Sequence, residues 1–196
     1  LPSETEVAAT LAELVRTAAA RVAVTTFASH VARAKSIAEA AFANGREVVV
    51  VGRALHRTIT VAREAGLLDG VPRFHRPDGY RRLPPEKVVL LATGSQGEAR
   101  AALSRIAAND HPEVTLGARD RLIFSSRTIP GNERPVNHII NTLIDRGIEV
   151  ITDRTDLVHV SGHPRREEMA ELYGWLRPQT VVPVHGEALH LSEHLK

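Results

Sequence analysis

The sequence predicts an α/β layered fold, a mainly parallel sheet flanked by helices. Three observations predict it. Short apolar, β-branched runs stand at residues 21–27, 47–51, 87–92, 121–125 and 149–152; a stretch of helical periodicity separates most of them; and Gly or Asn marks several of the helix ends. Strands alternating with helices align in parallel, because each crossover helix runs back along the sheet before the next strand begins.

Each element has its own local reason. Ser3 is placed to cap a first helix over residues 4–19, with Glu4 and Glu6 in its first turn and Val7, Leu11, Leu14 and Val15 at helical spacing. After the 21–27 strand, residues 29–44 read as a helix closed by Asn44-Gly45. Val48 to Val51 are four consecutive valines, the composition of a parallel strand covered on both faces. A helix over 54–65 ends at Gly66, and residues 67–86, rich in Pro and Arg, read as a surface excursion. Further helices are expected over 98–108 and 132–146, the second stopped by Gly147.

Composition narrows the class. The 196 residues suffice for one good-sized domain, or one domain plus a fragment. Hydrophobic residues make up 43% but aromatics only 4%, so the core is expected to be Val, Leu, Ile and Ala. A net charge of +2 argues neither for nor against nucleic acid, whose backbone needs a local basic patch rather than a basic total. The absence of cysteine excludes disulfides and cysteine-based metal or redox sites, and suits a reducing cytoplasm. No apolar run has membrane-spanning length, so the expectation is a cytoplasmic protein with no membrane partner. The start at Leu1-Pro2-Ser3, without an initiator Met, reads as the middle of a longer chain.

The last quarter carries the chemistry. Two apolar runs, 157–160 and 180–184, each lead into a His-bearing turn, Ser161-Gly162-His163 and His185-Gly186-Glu187, with a helix expected over 165–177 between them. A strand-helix-strand unit would present both imidazoles from neighbouring strand ends. Imidazole is a common metal ligand and, near neutral pH, a common proton carrier. Earlier strands also end in polar turns: Phe27-Ala28-Ser29-His30, Thr93-Gly94-Ser95-Gln96-Gly97 and Ser125-Ser126. Ligands of parallel α/β sheets gather at such ends, where hydroxyls, glycines and helix N-termini can donate to phosphate oxygens. Ordinary capping and turn chemistry would explain them equally well.

His159-Val160-Ser161-Gly162-His163 and Pro183-Val184-His185-Gly186-Glu187 resemble the last two histidine motifs of the β-CASP nucleases, a branch of the metallo-β-lactamase fold. The runs from Thr25 to His30, from Ala92 to Glu98 and from Ser125 to Glu133 narrow the resemblance to bacterial ribonuclease J. Five motifs in the family's order make a specific signal. The resemblance implies a β-CASP domain over 1–155 and, over 156–196, the C-terminal segment of a hydrolase domain whose earlier half is absent. It implies part of a zinc-dependent nuclease that hydrolyses RNA endonucleolytically and from 5′ to 3′ in RNA processing and decay, through a metal-bound hydroxide and two zinc ions.

Residue by residue, the resemblance makes His185 a zinc ligand and His163 the catalytic residue that contacts the scissile phosphate and helps protonate the leaving oxygen. Ser29, Ser161, Gly162 and His163 would hold a 5′-monophosphate, and Phe27 would stack on a base or simply fill the core. Thr93, Gly94, Ser95 and Ser125 would line the RNA channel. Pro130-Gly131-Asn132-Glu133 reads as either a helix start with Asn132 as its cap or a substrate-facing loop that includes Glu133. His30 stands where many members carry Asn. No His-x-His-x-Asp-His occurs, and a catalytic zinc normally has three protein ligands, so these residues alone are expected to hold little zinc and to be inactive. Single-stranded RNA is the implied partner, with a homo-oligomer as the implied assembly. A non-catalytic nucleic-acid-binding or dimerisation module is the alternative; a stand-alone nucleotide-binding domain lacks its usual Gly-rich fingerprint.

Overall fold

The computed structural model describes residues 2–195 and divides the chain into two compact units, 1–160 and 161–196. In the first unit, α1 (Glu4–Thr17) begins at a capping box, with Ser3 Oγ accepting from the Glu6 amide at 3.2 Å and Glu6 returning a carboxylate to the Ser3 amide at 2.7 Å. The chain continues through β1 (Val22–Thr25), α2 (Val31–Ala43), β2 (Glu47–Val51), α3 (Arg53–Glu64), β3 (Val88–Ala92), α4 (Ala102–Ala107), β4 (Arg121–Phe124), α5 (Glu133–Asp145) and β5 (Glu149–Ile151). The five strands form one parallel sheet in the order β2-β3-β1-β4-β5.

The continuous apolar character of the strands follows from helices on both faces. Val22, Val24, Val48, Val50, Val89, Leu91 and Ile123 point into one core with α1, α2 and α3, whereas Ala23, Val49, Val51, Leu90, Leu122 and Phe124 alternate into a second core with α4 and α5. Long cations close helix ends: Arg146 donates to the carbonyls of Ile106, Ala107 and Leu116 at 2.6–2.9 Å, satisfying the last carbonyls of α4.

Three expectations are corrected here. The 67–86 excursion is an edge cover: His75 donates its amide to the Val48 carbonyl at 2.8 Å and accepts from the Val50 amide at 3.0 Å, and Tyr80 then enters the second core. An unpaired β2 edge would invite association with other chains, and this segment blocks it. The helix expected over 98–108 shrinks to Ala102–Ala107, because Gly94 and Gly97 hold left-handed backbone and the Leu103 amide turns back to the Thr93 carbonyl at 2.9 Å. The two strands expected at 157–160 and 180–184 do not form. Residues 157–160 lie in the first unit, where the Val158 carbonyl receives side chains instead of a ladder partner.

The second unit contains α6 (Arg166–Leu176) and α7 (Ala188–His194). Its described residues include no buried side chain, and Trp175 (72% exposed), Leu176, Val182, Val184 and Leu189 all face solvent. With no strand among the described residues of this unit to pair with, 180–184 has nothing there to complete a ladder and stays irregular.

Candidate nucleic-acid interface

Strand order sets the geometry of the first unit's loops. Because β3, β1 and β4 are neighbours, the turns after them, residues 93–101, 26–30 and 125–132, lie side by side at the carboxyl edge of the sheet. Gln96, almost fully buried, fastens two of them. Its Nε2 donates to the Arg127 carbonyl at 3.0 Å, while its Oε1 accepts from the Ile129 amide at 2.8 Å and Asn132 Nδ2 at 3.3 Å. Since β1 lies between β3 and β4, this link passes the end of β1. Gly97 admits the approach of α5: with φ at +75°, a Cβ there would stand 2.7 Å from Pro135 Cβ.

Beneath the loops sits Arg33 on α2, fully buried. Its guanidinium donates to Glu4 through Nε (3.0 Å) and Nη2 (2.6 Å), and through Nη1 to Ser125 Oγ (2.6 Å) and the Val158 carbonyl (2.9 Å). Ser125 Oγ donates to the same Val158 carbonyl at 2.7 Å. One cation thus ties α1, the end of β4 and the segment after β5 together. Burial alone would raise the Glu4 carboxyl, but the hydrogen bond and charge of Arg33 outweigh it and hold it below its ordinary value. Burial and then Arg33 push His159 below the usual imidazole range, and its Nδ1 has no protein partner. Thr26 Oγ1 and Ser126 Oγ, at the ends of β1 and β4, are likewise buried without a partner among the described residues.

The expected substrate residues therefore divide. Ser29 is exposed and Phe27 and Thr93 are half-buried on these turns, and Glu133, the first residue of α5, is exposed just after the third. Gly94, Ser95 and Ser125 are buried, so their local tasks are packing and support. A Cβ on Gly94 would lie 2.9 Å from Leu103 Cβ, and the Ser125 hydroxyl is engaged as described. Glu133 Oε2 accepts from the Gly131 amide at 2.8 Å; Asn132 precedes α5 without capping it and turns its amide to Gln96. His30 caps α2, with Nδ1 accepting from the Arg33 amide at 3.3 Å.

In the second unit, Ser161, Gly162, His163 and His185 are all exposed in turns. Ser161 Oγ accepts from the His163 amide at 3.1 Å, and His185 is held at φ +65°, a left-handed conformation uncommon for a residue with a Cβ. His190 Nδ1 accepts from the Glu187 amide and His194 Nε2 meets the Tyr173 hydroxyl, so both histidines of α7 have structural tasks. Among the described residues, no group of three or more His, Asp or Glu side chains is placed to hold a metal ion.

Arg33 and Gln96 escaped the sequence reading. Arg33 had one signal, a cation on the same helical face as Ile37 and Ala41. Gln96 had none beyond its place between two glycines.

An open parallel α/β sheet with polar loops gathered at its carboxyl edge defines a class whose ligands bind at those loops. Sequence comparison makes the assignment specific: residues 19–143 match the family described as "Ribonuclease J, beta-CASP domain", to which the chain belongs. Residues 147–196 match "Zn-dependent metallo-hydrolase RNA specificity domain". Ribonuclease J of Sinorhizobium meliloti is 52% identical over 98% of this chain, that of Mycolicibacterium smegmatis 45% over 97%, and that of Thermus thermophilus 39% over 96%. The chain spans about a third of each relative's length (34%, 34% and 33%).

Proposed function

We propose that these residues are the RNA-guiding β-CASP domain (1–155) and a closing segment (156–196) of the hydrolase domain of a zinc-dependent ribonuclease, acting endonucleolytically and from 5′ to 3′ on cytoplasmic RNA. The observation that carries this reading is the order of the two family matches along one chain, the second containing both His163 and His185 in exposed turns. The exposed apolar side chains of the second unit support it, since a segment without a core of its own suits packing onto a larger domain.

In this reading His163 donates a hydrogen bond to a phosphoryl oxygen and protonates the leaving oxygen. Ser161 and Ser29 hold a terminal 5′-phosphate, Phe27, Thr93 and Glu133 face the strand, and Gly94, Ser95 and Ser125 keep those loops in shape from behind. The described residues do not by themselves make a zinc site; in this reading His185 joins a ligand set, for two ions, whose other members lie outside these residues. Single-stranded RNA with a 5′-monophosphate is the proposed substrate and a homo-oligomer the proposed assembly.

The test uses the complete nuclease. His185→Ala should lower zinc content, whereas His163→Ala should keep zinc and slow single-turnover cleavage of every substrate by roughly 10²–10⁴-fold. Ser161→Ala should erode the preference for a 5′-monophosphate over a 5′-hydroxyl end by about 1–3 kcal/mol. Zinc lost from His163→Ala, or fully kept by His185→Ala, would overturn the ligand assignment. RNA binding without cleavage by the complete protein would favour a non-catalytic module.

A further inference from the structure

The end of the sheet at β2 and β3 holds a cavity of about 780 Å³, within the size range of small-ligand sites. Four arginines line it, Arg53, Arg76, Arg100 and Arg105, against two carboxylates, Asp78 and Glu113. Arg105 leans on Asp110 at 3.7 Å, but Arg53, Arg76 and Arg100 have no carboxylate within ion-pair distance among the described residues. Three unpaired guanidiniums on one concave surface repel one another unless an anion joins them.

The backbone adds to the same field. Gly52, at φ +122°, leads into the twelve-residue helix α3 without a side-chain cap, so the first-turn amides have no side-chain acceptor. A helix N-terminus carries partial positive charge and free N–H donors. Gly52 lies so close to β3 that a Cβ would stand 2.3 Å from Thr93 Oγ1; both residues line the cavity. Burial and then Arg76 hold His56 below its ordinary value, as burial and then Arg105 do for His111, consistent with a positive enclosure.

We propose that this cavity binds the phosphate groups of a nucleotide, either a free nucleotide or one residue of an RNA strand. The unpaired arginines and the α3 amides take the phosphate, and Asp78 and Glu113 accept from ribose hydroxyls. Except for Thr93, none of these residues belongs to the substrate set proposed above, and the inference needs neither metal nor cleavage.

The test is an NMR titration of the 196-residue chain at low salt with inorganic pyrophosphate, adenosine 5′-monophosphate and adenosine. The two phosphates should shift the amides of Gly52, Arg53 and Ala54, whereas adenosine should not. Arg53→Ala with Arg100→Ala should weaken pyrophosphate binding at least ~10-fold, as expected for lost hydrogen bonds to a charged group. Lys87→Ala with Arg119→Ala removes the same charge just before β3 and β4, at their amino ends, and should leave binding unchanged. Unmoved α3 amides in the wild-type chain, or equal losses in both double variants, would overturn the proposal. Displacement of pyrophosphate by an octauridylate without terminal phosphate would identify an RNA strand as the source; displacement by the mononucleotide alone would identify a free nucleotide.

Discussion

Arg33 shows how one side chain sets the architecture of the loop face. It is fully buried and its guanidinium hydrogen bonds reach three separate parts of the chain: α1, the end of β4, and the segment after β5. Arg33→Met should cost about 3–5 kcal/mol in urea unfolding, since Glu4 loses its buried cation while Ser125 Oγ and the Val158 carbonyl, still bonded to each other, each lose a charged donor. A loss under about 1 kcal/mol would mean the loop face holds itself together. Glu4 gives this network a pH signature. Its folded carboxyl is held below the ordinary 4.5, so its contribution is fully present above that value and is lost as pH falls through the lowered one. Urea midpoints of wild type and Glu4→Gln should therefore differ at neutral pH and converge in acid; a gap that persists would remove the linkage.

At the scale of elements, the turn after β3 is a packing device. Gly97→Ala should destabilise by about 1–3 kcal/mol through overpacking against Pro135, with ~1–2 kcal/mol more from the left-handed backbone. Gly131→Ala has a positive φ but nothing within 4 Å, so it should show only the backbone part. Equal shifts of the two melting curves would contradict the close approach. This turn also shows what pattern reading could reach. Its place after a strand was legible from the apolar run at 87–92, but the purpose of its glycines was not, because the residue that crowds Gly97 lies far along the chain in α5.

At the scale of the chain, a cored unit is joined to one whose described residues include no buried side chain. Trp175→Ser should leave the stability of the 196-residue chain within about 0.5 kcal/mol, as for other exposed positions, whereas under the proposed function it should impair the complete protein, whose hydrolase domain would cover it. A large loss in the chain alone would place Trp175 inside a local core. The chain should bind single-stranded RNA weakly, with affinity falling steeply as salt rises, and should not cleave it; robust cleavage abolished by His185→Ala would show a self-sufficient site.

By itself, the sequence determined the five strands, most of the helices, their parallel arrangement and the family, because periodicity, capping and contiguous motifs are local properties. Tertiary structure alone decided the strand order, the cover over the β2 edge, the buried ties through Arg33 and Gln96, and the basic cavity. Each depends on residues distant in sequence meeting in space. The apolar runs at 157–160 and 180–184 mark the boundary between the two kinds of information: strand-like composition is written locally, but a strand exists only where another strand is present to pair with it.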